Sequence, residues 1–480
     1  MTFELYPFQQ QDMAKFAIQP SALEGSEMGT GKTHIAIATD QAWYDRAKFK
    51  FPTLIVAPLL TFDSWQEKYD MQDPDATLKT INRKDRDAFI KAIKANHADV
   101  YLCHWDALRL IVDELKNVTF NTVIADEVHR ASNRKAKATK ALKQIKTYHK
   151  LGLSGTASGD KLDGLWSILN WLYPKDFKSY WTFRKRYCLE ERTFAGGASY
   201  TKIVGVQNGA ELQALIAPFY SRHLKREQCC EHHPNGVMGW LPDKVYTNIW
   251  VDLSPIQRKF YEQMRLEMVA WVGKHEDSPL VASVVVAQMV RLGQMALATP
   301  MFDGDKIKLQ LPSSKLDALK EIIEDMEGKQ VVVFSASKQI CYLAQKYLEA
   351  DGIIAEVLSG DTPQGDRVGM VKRFNEGKFQ VFIGVIQAAA EGVDGLQHST
   401  DTAIFLDRAW STVKNKQAED RLHRGGQKDT VTIIDIMAHN TLDFGRKQRL
   451  ENKWSLIKEM LGDPSAAQQK ILKEEDSEQN

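Results

Sequence analysis

Short apolar runs separated by stretches long enough for crossover helices recur in two blocks of this chain, and that alternation constrains its fold more than any other feature. In the first block TLIVAPL, ADVYLCHW, NTVIADE and HKLGLSGT each read as a buried strand. From about residue 313 the pattern returns in KQVVVFSA, IIAEVLSG, FQVFIGVI, DTAIFLD and TVTIIDIM, with helical patterns such as KQICYLAQKYLEA between them. Parallel strands need connections of that length, so the pattern predicts an α/β chain with two doubly wound parallel-sheet domains. A length of 480 residues, too great for one core, agrees with this.

The expected division is a first domain over 1–225 with a helical insertion from about 160, a linker and helical protrusion over 226–312, a second domain over 313–455, and a polar tail over 456–480 that frays. Residues 160–310 carry Trp166, Trp171, Trp181, Trp240, Trp250 and Trp271, together with the Gly-rich insert FAGGASYTKIVGVQNG. Tryptophan mostly packs, so helical core is expected of them rather than base stacking.

Within the first block, SEMGTGKT (Ser26–Thr33) stands between an apolar segment and the helix-like run HIAIATDQAW. Gly29 and Gly31 lack side chains, so the backbone N–H groups from Met28 through Thr30 and Gly31 can turn inward around phosphates at a helix N-terminus. Lys32 would reach the β and γ phosphates and the Thr33 hydroxyl would ligate Mg²⁺. Downstream, TVIADEVH is a β-branched run ending in two acids. Asp126 is placed to hold the Mg²⁺ through its water shell and Glu127 to orient and deprotonate an attacking water.

Bulk composition excludes little. The formal net charge is +1, so a nucleic-acid partner would have to use a local basic surface. No apolar run is long enough to span a bilayer and no signal-like N-terminus is present, so a cytoplasmic protein is expected, or one of a host cell's cytoplasm or nucleus. Five scattered cysteines suit a reducing compartment. CCEHH (Cys229–His233) lacks the gaps that let one loop wrap a tetrahedral ion and is read as a polar loop. QAEDRLHRGGQ (Gln417–Gln427) puts Arg421 and Arg424 three apart, hence on one helical face, where both could reach a nucleotide held between two domains.

These motifs together resemble the superfamily 2 helicase-like ATPases, and within them the SWI/SNF-type DNA translocases. The likeness is collinear over nearly the whole chain: LYPFQ, EMGTGKT, LIVAPLLTFDSWQEKY, DEVH, LSGT, LWSILNWLYP, LPDK followed by LSPIQRKFYEQM, VVVFS, FLDRAWS and QAEDRLHRGGQ. It implies two RecA-like domains with helical insertions, ATP and Mg²⁺ as cofactors, Gln9 as the adenine-reading residue, and His129 with Ser154–Thr156 as couplers. Gly392, Asp394 and Gln417 would complete the nucleotide site, while Arg421 and Arg424 would stabilise transition-state charge. Pro58, Leu59, Trp105, Ser335, Gln387 and Trp410 would lie on loops facing duplex DNA and mostly touch phosphates; for Trp410 a core position stays equally open. FRKRYC, SRHLKR and QAEDR resemble the annealing-helicase or fork-remodelling subgroup, which implies a monomeric DNA translocase on duplex or branched DNA, with room for accessory replication or recombination proteins. Two rival readings are an RNA helicase and an ATP-gated assembly subunit without processive movement. Ser26, Val128 in the DEVH box and the RGGQ wording depart from the family pattern without removing a catalytic group.

Overall fold

The computed structural model describes residues 4–47, 51–81, 86–195, 198–228, 233–274, 281–303 and 306–463. Cys229 to His232 of the CCEHH segment and the polar stretch from 464 onward lie outside the described residues, as does the side chain of Trp271. The chain divides into two compact units, one of residues 1–189, 203–239 and 455–480, the other of 190–202 and 240–454.

Unit 1 is built on strands β1 (Ser21–Glu24), β2 (Thr53–Ala57), β3 (Leu78–Thr80), β4 (Val100–His104), β5 (Thr119–Asp126) and β6 (Lys146–Leu153). A pair of strands divided between the two units, β7 (Cys188–Ala195) and β8 (Ala198–Val206), makes its own two-stranded sheet, and β9 (Tyr220–Ser221) rejoins the main sheet of unit 1. The main sheet has seven strands in the order β3-β4-β2-β5-β6-β1-β9, every pairing parallel. Its central strands are buried without alternation, as in TLIVA of β2, because helices cover both faces. The helix Trp105–Leu115 shows why: Leu108, Ile111, Val112 and Leu115 recur at helical spacing on its buried face, and the His104 ring caps it by accepting from the Ala107 amide at 3.1 Å.

Unit 2 holds β10 (Lys244–Val251), the antiparallel pair β11 (Thr299–Asp303) and β12 (Lys306–Gln310), and β13 (Val331–Ser335), β14 (Ala355–Leu358), β15 (Val381–Val385), β16 (Thr402–Phe405) and β17 (Val431–Ala438). Six of these form a parallel sheet in the order β10-β17-β16-β13-β15-β14. Its core is aliphatic and aromatic, with Val332, Phe334, Phe382, Ile383, Ile404 and Phe405 at its centre. All nine sequence-read strands are present.

Three expectations need correction. KVYTNIWV, inside the stretch read as linker, is the edge strand β10, paired along its length with β17 from Lys244↔Val431 to Val251↔Ala438. The Gly-rich insert forms β7 and β8 and not a helical excursion, since ASYTKIVGV is rich in residues that favour extended backbone. Of the tryptophans assigned to helical core, Trp166 and Trp171 are buried, but Trp181, Trp240 and Trp250 are 66%, 61% and 39% exposed. Trp181 lies on the helix Tyr180–Tyr187 out of phase with buried Phe183 and Tyr187, and Trp250 sits on the edge strand, stacked at 4.9 Å on His439.

Candidate nucleotide site and its comparison with known proteins

Three neighbouring parallel strands, β5, β6 and β1, bring their carboxyl ends to one edge of the first sheet, where ligands of open α/β sheets bind. The loop after β1 is Gly25–Gly31, and the helix Lys32–Arg46 starts from it with Gly31 as its N-cap. Gly29 and Gly31 have φ of 85° and 84°, the left-handed region where a Cβ is penalised. A Cβ on Gly31 would also stand 2.3 Å from Gln9 Nε2. Gln9 itself is buried, donates to the Thr30 carbonyl at 2.9 Å and accepts from the Tyr6 amide at 2.9 Å.

Lys32 is the first residue of that helix, with Thr33 the second, and its ammonium donates to the Ser26 and Glu27 carbonyls, both at 2.8 Å. Burial lowers its pKa, while the fields of Glu127, Glu24 and Asp126 work the other way. Asp126 ends β5. Its Oδ2 accepts from Trp65 Nε1 at 3.0 Å, its Oδ1 from the Glu127 amide at 2.9 Å, and its carbonyl from Trp105 Nε1 at 3.0 Å. Burial, reinforced by the neighbouring Glu127 charge, pushes the Asp126 carboxyl up to about 6.

Glu127 has φ 50° and ψ 49°, a left-handed conformation that costs a non-glycine residue of order 1–3 kcal/mol and turns its side chain out of the strand direction. Its Oε2 stands 3.0 Å from His129 Nδ1, which is also 3.1 Å from Ser154 Oγ. Ser154 in turn is joined to β1 through its amide, 3.0 Å from the Glu24 carbonyl, and Thr156 N donates to Ser154 Oγ at 3.2 Å. Phosphate loop, acidic pair and the SGT turn are thus one hydrogen-bonded assembly.

The donor set fits a nucleotide and a divalent cation. The loop offers backbone amides at a helix N-terminus with no Cβ at Gly29 or Gly31, Lys32 supplies a half-buried cation, and two adjacent carboxyls at close quarters disfavour joint ionisation unless a cation compensates them. Among the described residues no group of three or more His, Cys, Asp or Glu converges as a metal site. A cation at Asp126 would therefore complete its shell from Thr33, phosphate oxygens and water, as Mg²⁺ does.

The second set of sequence-read residues gathers within unit 2. The expectation that Arg421 and Arg424 share a helical face is corrected: the helix Thr412–Glu419 ends before them, and tight turns lead into Gly426 at φ 95°. They converge instead on one oxygen, Asp394 Oδ1, at 2.6 Å from Arg421 and in closer contact with Arg424. Burial opposes ionisation of Asp394, but the two guanidinium groups hold its carboxyl below the usual range. Arg421 is buried and also donates to the Val393 carbonyl at 3.0 Å and to the Ala390 carbonyl, at the end of the helix Ile386–Gly392. It braces that segment, while Arg424, paired with the same Asp394 oxygen, is the more exposed of the two guanidinium groups. Gln417 is buried in the helix before them.

Of the residues expected to face DNA, Leu59 and Trp410 are 43% and 40% exposed, and Gln387 is exposed too. Trp410 has the guanidinium groups of Arg446 and Arg449 at 4.9 and 5.9 Å from its ring, so the core alternative left open for it does not hold. The side chains of Pro58, Trp105 and Ser335, by contrast, are buried. Trp105 supports Asp126, and Ser335 Oγ donates to Asp407 Oδ1 at 2.5 Å.

Sequence reasoning missed Trp65, Glu24 and the whole SRHLKR segment as parts of the site. It also left the departures unexplained, and the local structure accounts for two of them. Ser26 Oγ accepts from the His223 amide at 2.9 Å, a bond glycine would lack. Val128 occupies the space left by Gly152, where a Cβ would lie 3.2 Å from a Val128 methyl.

Residues 18–296 match the SNF2-related domain, and residues 314–426 match the helicase conserved C-terminal domain. The chain belongs to the SNF2-related family. Similar SNF2-type relatives include "ATP-dependent helicase brm" of Drosophila melanogaster, 27% identical over 443 residues that make up 87% of this chain and 26% of the relative. "Probable ATP-dependent DNA helicase CHR23" of Arabidopsis thaliana is 27% identical over 90% of this chain and 40% of its own length. "Transcription regulatory protein SNF2" of Saccharomyces cerevisiae is 26% identical over 87% and 25%. This chain thus spans well under half the length of these relatives. Among solved structures, the Sulfolobus solfataricus SWI2/SNF2 ATPase core in complex with dsDNA is 22% identical, with a TM-score of 0.43, covering 97% of this chain and 94% of that one.

Proposed function

We propose that this SNF2-related chain hydrolyses ATP with Mg²⁺ and uses the cycle to move along duplex DNA, with branched DNA as its preferred substrate. The observation that supports the reading most strongly is the assembly that joins Asp126 and Glu127 to the SGT turn through His129 and Ser154, within the electrostatic reach of Lys32. Bound ATP would supply a γ-phosphoryl group for transfer to water. Lys32 and the loop amides orient and neutralise the phosphates, Thr33 and Asp126 hold the cation, and Glu127 accepts the proton of the attacking water. Because Glu127 shares His129 with Ser154, a shift of the SGT turn re-aims the base, which couples hydrolysis to whatever moves that turn. Arg424 serves as the charge-stabilising guanidinium, with Arg421 and Asp394 fixing its approach.

The preference for branched DNA draws its support from the helix that carries most of FRKRYC, where Trp181, just ahead of that segment, stands exposed near Arg184, Lys185 and Arg186. SRHLKR and QAEDR lend less, since their side chains work inside the two units. The experiment is ATP hydrolysis measured side by side with single-stranded DNA, duplex, fork, four-way junction and RNA. Stimulation by duplex and more by branched DNA is expected. Lys32→Ala should abolish turnover with an unchanged circular dichroism spectrum, and Glu127→Gln should keep nucleotide affinity while losing the chemical step. Stimulation by RNA alone would replace this reading with an RNA helicase.

A further inference from the structure

We propose that Arg222 is a positioning residue for the phosphate loop and the SGT turn, and that the carboxylate of Asp463, delivered by the end of the helix Leu442–Leu461, sets its place. The inference rests on the nucleotide reading of that loop. It starts from the SRHLKR segment, which is hydrogen-bonded along the loop's flank. The Gly25 amide donates to the Ser221 carbonyl at 2.7 Å and the Glu27 amide to that of His223 at 2.9 Å. In return the His223 amide donates to Ser26 Oγ at 2.9 Å and the Lys225 amide to Glu27 Oε2 at 2.7 Å.

Arg222 lies in the middle of this ladder, its side chain only 6% exposed. Nη1 donates to the Gly25 carbonyl at 2.6 Å and to the Gly155 carbonyl at 3.0 Å, so one nitrogen ties the first residue of the phosphate loop to the centre of the SGT turn. Nη2 donates to Asp463 Oδ2 at 2.7 Å, and Nε to Oδ1 of the same carboxylate. Only a guanidinium can serve two carbonyls on one edge while forking onto a carboxylate on another, and lysine has no such geometry. The backbones are close here: a Cβ on Gly155 would lie 3.2 Å from the Ser26 carbonyl oxygen. A guanidinium so placed holds two catalytic loops at a fixed separation.

Asp463 reaches it through a helix-ending motif. Gly462 adopts φ 82°, its amide donates to the Glu459 carbonyl at 3.2 Å, and the Asp463 amide donates to that of Lys458 at 3.0 Å. This is the Schellman pattern, in which a left-handed glycine reverses the chain and projects the next residue sideways. The end of the helix is seated on unit 1 by buried Ile457, Met460 and Leu461 and by the Lys458–Glu227 ion pair at 2.9 Å. The carboxylate is therefore delivered by a docked element.

The test compares Asp463→Asn, Asp463→Glu and Arg222→Lys with the wild-type chain, first without nucleotide. Amide hydrogen exchange is expected to rise about tenfold at residues 25–31 and 154–156 in Asp463→Asn, with β2, β4 and the unit 2 strands unchanged. The KM for ATP should rise by a similar factor while kcat falls less. Asp463→Glu, which keeps the fork's partner, should recover most of both, and Arg222→Lys should not. Unchanged exchange at both loops in Asp463→Asn would overturn the proposal, as would a uniform rise across all of unit 1, which marks a merely structural tie. Should the wild-type chain neither bind nor hydrolyse ATP, the nucleotide reading fails, and the exchange measurement still decides the role of Arg222.

Discussion

Glu24 ends β1 with its carboxyl wholly buried, one oxygen accepting from the Ser26 amide at 3.0 Å. Burial, with the nearby Asp12 charge, pushes its pKa from 4.5 up to about 7. Below about pH 4.5 the group is protonated folded or unfolded and costs nothing. As pH rises from there toward 7 the unfolded chain gives up the proton first, so the native state loses stability progressively, and above 7 the loss is complete. Glu24→Gln keeps the acceptor and removes the titration, so its melting temperature relative to wild type should climb between about pH 5 and about pH 8. An offset that does not vary with pH would show that the carboxyl is ionised throughout. At this scale the sequence revealed the residues whose chemistry is written in a local word, such as Lys32, Asp126 and Glu127. It hid Trp65, Glu24 and Arg222, whose partners lie 61, 2 and 197 residues away and whose residue types carry no motif of their own.

Among the elements, β10 is held to the second sheet by more than its ladder. Glu419, buried at the end of the helix Thr412–Glu419, meets Lys244 at 3.1 Å and Tyr246 OH at 2.7 Å from β10, and also Arg408 at 2.6 Å and Lys416 at 3.2 Å. Burial resists its ionisation, but Lys416, Lys244 and Arg408 together hold its pKa well below the carboxylate range. Removing the shared carboxylate leaves Arg408 only Asp435 and Lys244 only the more distant Asp420 at 3.6 Å as acidic partners, so Glu419→Gln should cost about 3 kcal/mol in urea unfolding of unit 2. A cost under about 1 kcal/mol would mean the cluster is solvated in solution. The strand escaped sequence reading for a related reason. Parallel pairing with β17 joins Lys244 to Val431, and no local pattern announces a partner so far downstream. The strands that were legible owe it to continuous apolar runs such as VVVFS, buried on both faces. The helix expected through Arg421 and Arg424 failed because the two glycines that follow favour turns, a signal outweighed by the charge spacing.

Across the whole molecule, two parallel-sheet units were readable from alternation and the motif order from the motif words, whereas the assignment of stretches to units was not, because both units draw on separated pieces of chain. The formal net charge of +1 gives no global attraction for DNA. If the chain tracks a phosphate backbone, binding must come from local clusters such as Arg446 and Arg449 beside Trp410, and each phosphate engaged releases counterions. Duplex affinity should then fall steeply between about 50 and about 200 mM salt, by three orders of magnitude or so for six contacts. A response that stays flat over that range would exclude a backbone-tracking surface.

Unit 1 also has a history built into its chain order. All seven strands of its sheet have been made once Ser221 is in the chain, yet the carboxylate that grips Arg222 is translated 241 residues after Arg222 itself. At about 5–20 residues per second that interval is roughly 12–48 s, ample time for unit 2 to fold in between. A nascent chain therefore spends this period with its sheet complete and its phosphate loop unbraced. Only once synthesis has carried the helix past Gly462 can the brace proposed for Arg222 form.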